Sequence, residues 1–182
     1  MKAFTFGLAL LAATVFADTE ADVVDGETET KIWAMPTIEA NGDTSDAKRS
    51  FEEICTENGF QFEMHEVTTE DGYELNVFRI PGLVSEGAEA NSGAKPPVLF
   101  QHGILDSAYC WIVNYADVAP AFVAARAGYD VWLGNSRGNT YSRANVDLDP
   151  DKNEKKFWNF SWYDMGTYDL PCLLYTSDAA DE

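Results

Sequence analysis

Two short apolar runs, each followed at once by a glycine-containing polar loop, constrain the fold more than any other feature of this chain. Val98-Leu99-Phe100 leads into Gln101-His102-Gly103, and the run 129–133 leads into Gly134-Asn135. The run Val98-Leu99-Phe100 is uninterrupted, which is typical of a strand buried on both faces of a parallel sheet, and we predict the run 129–133 to be another buried strand. A helical stretch over 118–127 lies between them. We therefore predict an α/β fold with a mostly parallel sheet and flanking helices, whose two loops lie where ligands bind in such sheets.

The residues before these strands predict a short helix. Phe51, Ile54 and Cys55 recur at intervals of three and four, which is the spacing of an amphipathic helix. Ser45-Asp46 is the expected N-cap of this helix. Asn58-Gly59 is expected to end it, because both residues tolerate the backbone conformation found just past a helix C-terminus.

A change of period after this helix predicts an antiparallel β-hairpin. Phe60, Phe62 and Met64 alternate with polar residues. The alternation resumes after Asp71-Gly72, which is a strong turn signal. The predicted hairpin therefore spans 60–80 and forms an antiparallel edge of the sheet. The other predicted elements are a surface loop over 82–97 and a helix over 164–170.

Both ends of the chain differ in character from its middle. Residues 1–17 resemble a secretory signal peptide, with one early lysine, an apolar run too short to span a bilayer, and small residues before the expected cleavage site. The alternative is that these residues are an uncleaved anchor or a core strand.

Residues 18–47 are acidic and are expected to be loosely ordered. The last 11 residues, 172–182, resemble a translated sequencing adapter, so we interpret them as a non-native tail. Residues 48–171 are then the predicted N-terminal part of the α/β domain.

The charge balance excludes two classes of partner. The chain has 12 Lys and Arg residues against 31 Asp and Glu residues, a formal charge of −19. Nucleic acids and anionic membranes attract clustered basic side chains, so neither is an expected partner. Beyond the leader no apolar run reaches the length of a membrane-spanning helix, so no transmembrane segment is predicted.

The cysteines and histidines do not predict a metal site. His65 and His102 are the only two histidines, and no Cys/His spacing matches a zinc site. Cys55 and Cys110 either form one disulfide or lie unpaired as small buried residues, and we favour the second arrangement.

The first loop predicts an oxyanion hole, the set of N–H groups that binds the negative oxygen of a tetrahedral intermediate. Gly103 follows His102 directly after the first buried strand. Glycine allows the backbone to aim an N–H group into the cleft, and we assign that donor to the backbone of Ile104. The alternative is that Gly103 only makes a tight turn and His102 forms a local hydrogen bond.

The second loop contains a G-x-S-x-G pattern over 134–138, which is typical of the nucleophile elbow of α/β-hydrolases. Ser136 is nevertheless a poor candidate for the nucleophile. The base of such enzymes follows the serine in the chain, whereas both histidines here precede it. The loop also lies one strand too early and continues as a polar segment. We expect Asn135, Ser136 and Arg137 to brace the loops by hydrogen bonds instead.

Six segments together resemble the gastric and lysosomal acid lipase family of α/β-hydrolases. The resemblance extends from about Ile54 to Pro171. The segments are 66–73 with Arg79-Ile80-Pro81, Gln101-His102-Gly103-Ile104, the long run 128–139, Phe157-Trp158, and Tyr168-Asp169-Leu170-Pro171.

This resemblance implies a Ser-His-Asp esterase that acts on a neutral lipid ester at a lipid–water interface and needs no cofactor. Ile104 would occupy the first oxyanion-donor position, and the nucleophile elbow would lie on the strand that follows the 168–171 helix. The chain ends before that strand, so we expect the Ser, Asp and His of the triad to be absent and this fragment to be inactive.

The last two expectations concern the location of the protein and a second candidate function. A secreted or lysosomal protein is expected, and Asn159 in Asn159-Phe160-Ser161 is a candidate glycosylation site. The alternative function is a non-catalytic lipid-binding or interaction protein with a lipase-like N-terminal half.

Overall fold

The structure is a computed structural model that describes residues 49–91, 93 and 95–179. The predicted leader and the acidic segment 18–47 lie outside the described residues. None of the described helices is both long and apolar enough to cross a membrane.

The predicted N-terminal helix is present, but its expected N-cap is wrong. Helix α1 spans Phe51–Glu57, and Ser50 rather than Ser45-Asp46 is its N-cap. The Ser50 side chain accepts a hydrogen bond from the Glu53 backbone, and the Glu53 carboxylate accepts one from the Ser50 N–H. This reciprocal pair satisfies two N–H groups that a helix start leaves without partners, which fixes the start at Phe51.

The predicted hairpin forms, and its first strand is shorter than expected. Strand β1 spans Glu63–Thr68 and pairs antiparallel with β2, Tyr73–Ile80. Phe60 instead makes an isolated bridge with Leu83. Met64 is 61% exposed, although the alternation predicted it on an apolar face. The reason is that only the face of β1 that carries Val67 packs against an apolar cluster, and Met64 lies on the opposite face.

The two predicted buried strands are parallel neighbours. Strand β3 spans Pro97–Gln101 and β4 spans Asp130–Gly134, and the order across the sheet is β1-β2-β4-β3. All five residues of β4 are buried. Strand β3 is only half-buried. The prediction that this strand is buried on both faces is therefore wrong. Among the described strands β3 pairs with β4 alone, so its other edge has no strand partner there. A two-residue strand, β5 (Ala144–Asn145), pairs with β2 and was not predicted.

The sheet separates two apolar clusters. Alternate residues of one strand point to opposite faces, so Phe78 and Ile80 join one cluster while Leu75 and Val77 join the other. The first cluster lies against α1 and helix α2, which spans Pro120–Arg126. The second contains Trp132 and Phe157.

The predicted surface loop over 82–97 is partly helical. Its residues Val84–Asn91 form 3₁₀ turns broken at Gly87, and Ala90 is buried.

The C-terminal part of the described chain is helical. It consists of α3 (Glu154–Phe157), α4 (Trp162–Asp164), a π-helical turn (Met165–Asp169) and α5 (Leu170–Ala179). The predicted helix over 164–170 therefore lies inside a longer helical run. Pro171 has no N–H to donate, and the wider π turn stands directly before it. Leu173 of α5 is buried in the second cluster. The non-native origin of 172–182 remains a prediction.

Candidate active site at the carboxyl ends of two parallel strands

The two loops predicted to carry the chemistry lie side by side. Strands β3 and β4 are parallel, and Gln101 at the end of β3 pairs in register with Gly134 at the end of β4. The loops 102–107 and 135–139 therefore leave the same edge of the sheet. The Gln101 side chain donates a hydrogen bond to Ser136 Oγ at 2.9 Å, which ties the end of one strand to the loop of the other.

His102 links the two loops through its ring nitrogen Nε2, and its Nδ1 bonds within its own loop. The backbone N–H of Ser136 lies 3.1 Å from Nε2. Because an amide N–H can only donate, Nε2 accepts, and the ring proton is on Nδ1. Nδ1 lies 2.6 Å from the Gly103 carbonyl oxygen and donates to it. His102 is buried and crosslinks the two loops.

Asn135 and Asn139 hold the second loop in shape. Asn135 Oδ1 accepts hydrogen bonds from the Ala108 N–H and from Asn139 Nδ2, at 3.0 and 2.9 Å. Asn139 Oδ1 accepts from the N–H groups of Tyr141 and Ser142, both at 2.9 Å. The two asparagines thus satisfy backbone groups that the turn leaves without partners, and Asn135 also ties this loop to the one after β3.

Arg137 fixes the second loop to two distant segments. Its guanidinium makes two parallel hydrogen bonds to Asp71, at 2.6 and 2.8 Å, and a third to Asp169 at 2.8 Å. The Arg137 backbone N–H also donates to Asp169, at 3.0 Å. The guanidinium carbon lies 4.0 Å from the centre of the Tyr73 ring. The Arg137 side chain is fully buried, so each donor needs these partners.

Burial and hydrogen bonds compete in setting the pKa values of these groups. Burial tends to raise the pKa of Asp71, but hydrogen bonds from Arg137 and Thr69 outweigh it and lower that pKa. At Asp169 burial prevails over the bonds from Arg137, and the pKa is raised. Burial tends to lower the pKa of Arg137, but its bonds to both carboxylates raise it further, so the guanidinium stays charged.

Two adjoining clefts open beside the loops. The larger has a volume of about 520 Å³, and the smaller a volume of about 250 Å³. His102, Ile104 and Ser136 line both clefts. Trp158 and Phe160 add an aromatic wall to the larger cleft, and the smaller one is mostly apolar.

Ile104 follows β3 by three residues and lies in the walls of both clefts. Within the described part of the chain, its backbone N–H makes no hydrogen bond. Ile104 itself is 47% exposed. A main-chain donor beside a cleft and without a protein acceptor is the type of group that can bind a negative oxygen.

Comparisons with known proteins agree with this architecture. Residues 51–115 match the family described as the partial alpha/beta-hydrolase lipase region. Lipase 1 of Drosophila melanogaster is 45% identical over 129 residues, 71% of this chain and 27% of that protein. Gastric triacylglycerol lipase of Homo sapiens is 50% identical over 123 residues, 67% of this chain and 30% of that protein. The rat protein of the same name is 46% identical over 129 residues, 71% of this chain and 32% of that protein.

This chain contains an α/β-hydrolase lipase region over residues 51–115. It spans about a third of the length of the curated relatives that it matches, 27% of the Drosophila lipase and 32% of the rat lipase. The predicted resemblance and fold are thereby confirmed.

Ser136 stands in a different context from the nucleophile of such a lipase. A nucleophile elbow joins a strand directly to a helix. In the described chain, turns and the short strand β5 follow Ser136, and the next helix begins at Glu154. His102 Nε2 accepts a hydrogen bond from the backbone N–H of Ser136, and not from the Ser136 hydroxyl.

Arg137 is paired with Asp71 and Asp169. The sequence does not predict that either carboxylate is its partner. The sequence identifies Asp71 only as a turn residue, and Asp169 only as part of a family motif. They lie 66 and 32 residues from Arg137. A buried arginine needs carboxylates, but the sequence holds 31 acidic residues and does not say which ones approach.

The remaining predicted sites show mixed outcomes. Cys55 and Cys110 are both free, as favoured, but only Cys55 is fully buried and Cys110 is half-buried. Among the described residues no group of three or more His, Cys, Asp or Glu side chains is arranged to hold a metal ion. Asn159 is exposed on the surface, and its glycosylation remains a prediction.

Proposed function

We propose that the protein to which this chain belongs is a lipid-ester hydrolase of the acid lipase type, working by serine acyl transfer. The observation that carries the proposal is the Ile104 N–H, which, among the described residues, stands without a protein acceptor beside two clefts at the carboxyl end of β3. The proposal concerns the whole protein, because the chain spans only about a third of its relatives.

The proposed reaction has two steps. A serine hydroxyl, activated by a histidine base, attacks the ester carbonyl and forms a tetrahedral intermediate. The Ile104 N–H and a second N–H, next to the serine, stabilise its negative oxygen. The alcohol leaves, and water then releases the fatty acid. No cofactor takes part.

His102 and Ser136 have supporting roles in this proposal. Both ring nitrogens of His102 are engaged in holding the loops, so it is not free to take a proton from a nucleophile. Ser136 Oγ accepts from Gln101, and no basic side chain of the described residues bonds to it. The nucleophile and the base are therefore proposed to be groups other than these two.

The proposed substrate is a neutral lipid ester at a lipid–water interface. The apolar wall of the smaller cleft, with Trp162, Leu170 and Leu173, supports an acyl chain rather than a charged substrate. Two of the relatives are named triacylglycerol lipases. A route through the secretory pathway, to the lysosome or out of the cell, is supported by the predicted leader over 1–17.

Expression of the complete reading frame that encodes this chain tests the proposal. We expect hydrolysis of an emulsified triacylglycerol or a sterol ester, and covalent labelling of one serine by a fluorophosphonate. Peptide mapping is expected to locate the label at a serine other than Ser136. Ser136→Ala is the control, since that variant should still be labelled.

The non-catalytic alternative predicts the opposite result. A folded, complete protein that binds lipid but neither hydrolyses these esters nor reacts with the fluorophosphonate would contradict the proposed function. Labelling at Ser136 would contradict the proposed arrangement of the site.

A further inference from the structure

Asn159 stands on the surface between two aromatic neighbours. It lies between α3 and α4, where Trp158 and Phe160 line the larger cleft. Asn159 is exposed, and its side chain makes no hydrogen bond within the described residues. Its backbone N–H is bonded to the Lys156 carbonyl, so the turn that presents the side chain is fixed. The Asn159-Phe160-Ser161 sequence is the only N-x-[ST] sequon in the chain.

We infer that Asn159 carries an N-linked oligosaccharide at the rim of the larger cleft. The inference rests on the secretory route proposed above and not on ester hydrolysis. In the transfer, Asn159 Nδ2 loses a proton and bonds to C1 of the first sugar of a polyisoprenyl-pyrophosphate-linked oligosaccharide. The bond from that C1 to the pyrophosphate oxygen breaks, and the polyisoprenyl pyrophosphate leaves with the electron pair.

The local structure accommodates a large group at this position. Phe157 is fully buried and Phe160 packs against the second apolar cluster, so the aromatic side chains on either side anchor the turn from within. Asn159 is left facing solvent, where a bulky substituent displaces no packed group. The sequon is therefore presented by an ordered turn rather than enclosed among its aromatic neighbours.

Ser161 belongs to the sequon, and in the folded protein it is also the N-cap of α4. Its hydroxyl and its backbone N–H both donate to the Asp164 carboxylate, at 2.8 and 2.7 Å, and Ser161 is the N-cap of α4. Transfer of an oligosaccharide takes place on the chain as it enters the secretory pathway. The hydroxyl is thus available to the transferase before α4 forms.

An exposed aromatic pair follows Asn159 three and four residues later in the chain. Trp162 is 69% exposed and Tyr163 is 75% exposed. Exposed aromatic side chains promote association between protein molecules, and an attached oligosaccharide makes the surrounding surface more soluble.

Translation of the whole chain in the presence of microsomes tests the inference. We expect a product heavier by one oligosaccharide, and treatment with a peptide N-glycosidase is expected to remove the added mass. Asn159→Gln and Ser161→Ala should abolish the shift. Ser161→Thr should keep it, because threonine preserves both the sequon and an N-cap hydroxyl.

A control sequon separates failure of the site from failure of the route. Ala116→Thr, introduced together with Asn159→Gln, creates a sequon at the exposed Asn114. A shift in this control but not in the unmodified chain would overturn the inference, as would a shift that persists in Asn159→Gln alone. If neither protein shifts, the chain does not enter the pathway, and the proposed route and the inference both fail.

Discussion

Arg137 is a buried positive charge surrounded by two carboxylates and an aromatic ring. Its side chain is fully buried, and that of Asp169 is 2% exposed. Burying two charges costs several kcal/mol per ion, and good hydrogen-bond geometry only offsets that cost. Such a cluster is therefore weak evidence for net stability. Removing one partner is a different matter, because the other charge then stays buried without compensation.

Arg137→Met is expected to destabilise the folded chain by about 3–5 kcal/mol, since Asp169 loses its buried counter-ion. Urea unfolding followed by tryptophan fluorescence measures the change. Arg143→Met is the matched control, because Arg143 pairs with Asp151 on the surface, and it should cost about 0–1 kcal/mol.

The double variant Arg137→Met with Asp169→Leu tests the reason for that loss. It removes both buried charges and should recover part of the stability. Equal destabilisation by Arg137→Met and Arg143→Met would contradict the role assigned to burial.

Because the Cys55 thiol is buried, we predict that the folded chain loses stability at alkaline pH. Burial, with a smaller contribution from Glu52, raises the pKa of the Cys55 thiol from 9.0 to about 12. The stability that the protonated thiol contributes is thus fully present below pH 9. It falls as the pH rises from 9 towards 12, because the unfolded chain ionises first. The free energy of unfolding between pH 8 and 11 should fall more steeply in the unmodified chain than in Cys55→Ala. Parallel slopes would contradict the assigned pKa.

At the scale of single elements, the turn after β4 depends on Gly138. Its φ angle is +81°, and a Cβ atom there would lie 2.7 Å from the Trp158 ring and 2.8 Å from the Phe160 ring. Both the backbone angle and the close approach of the two rings therefore exclude a side chain.

Gly138→Ala is expected to cost more than about 1 kcal/mol in unfolding free energy. Gly59 is the matched control, because its φ is also +81° but a Cβ atom there would meet no atom within 4 Å. Gly59→Ala reports the backbone strain alone, so Gly138→Ala should be the more damaging of the two in the same urea titration. The reverse order would argue against close packing of the aromatic wall on this turn.

The start of α1 depends on the reciprocal hydrogen bonds between Ser50 and Glu53. Ser50→Ala removes the side-chain acceptor and should cost about 1 kcal/mol of stability. Thr56→Ala, which changes a hydroxyl bonded to the carbonyl of Glu52 in the same helix, serves as the comparison in thermal unfolding. A cap variant that is as stable as the unmodified chain would show that the helix start is fixed by packing alone.

Local patterns predict the elements better than their ends or their depth. The spacing of Phe51, Ile54 and Cys55 identifies α1, and Asp71-Gly72 identifies the hairpin turn. The pattern does not identify Ser50 as the N-cap, because Ser45-Asp46 offers the same chemistry a few residues earlier. The apolar run in β3 predicts a strand correctly, but its half-burial depends on which strands flank it, and no local pattern contains that information.

In the candidate site too, local patterns predict the elements but not the contacts between them. The His-Gly turn and the second loop can be identified because both directly follow apolar runs. The contacts that organise them, such as Ser136 N–H to His102 Nε2, join residues 34 apart. Such contacts arise from the pairing of β3 with β4, and only the folded sheet brings them together.

At the scale of the whole molecule, the described sheet has the form of one part of a lipase fold. Strand β4 is covered on both faces, whereas β3 pairs on one side only among the described strands. The two clefts open at the carboxyl ends of these strands, the edge at which open α/β sheets bind ligands. We propose that the Ile104 N–H at this edge stabilises the oxyanion of ester hydrolysis.

Replacing the amide at position 104 by an ester in the complete protein tests this role of the Ile104 N–H. The α-hydroxy acid counterpart of isoleucine removes the N–H and keeps the side chain. The same change at Leu105, which is 97% exposed, is the control. We predict that kcat falls about 10²–10³-fold at position 104, with KM nearly unchanged, and that the control keeps its activity. An unchanged kcat at position 104, in an enzyme that hydrolyses lipid esters, would contradict it.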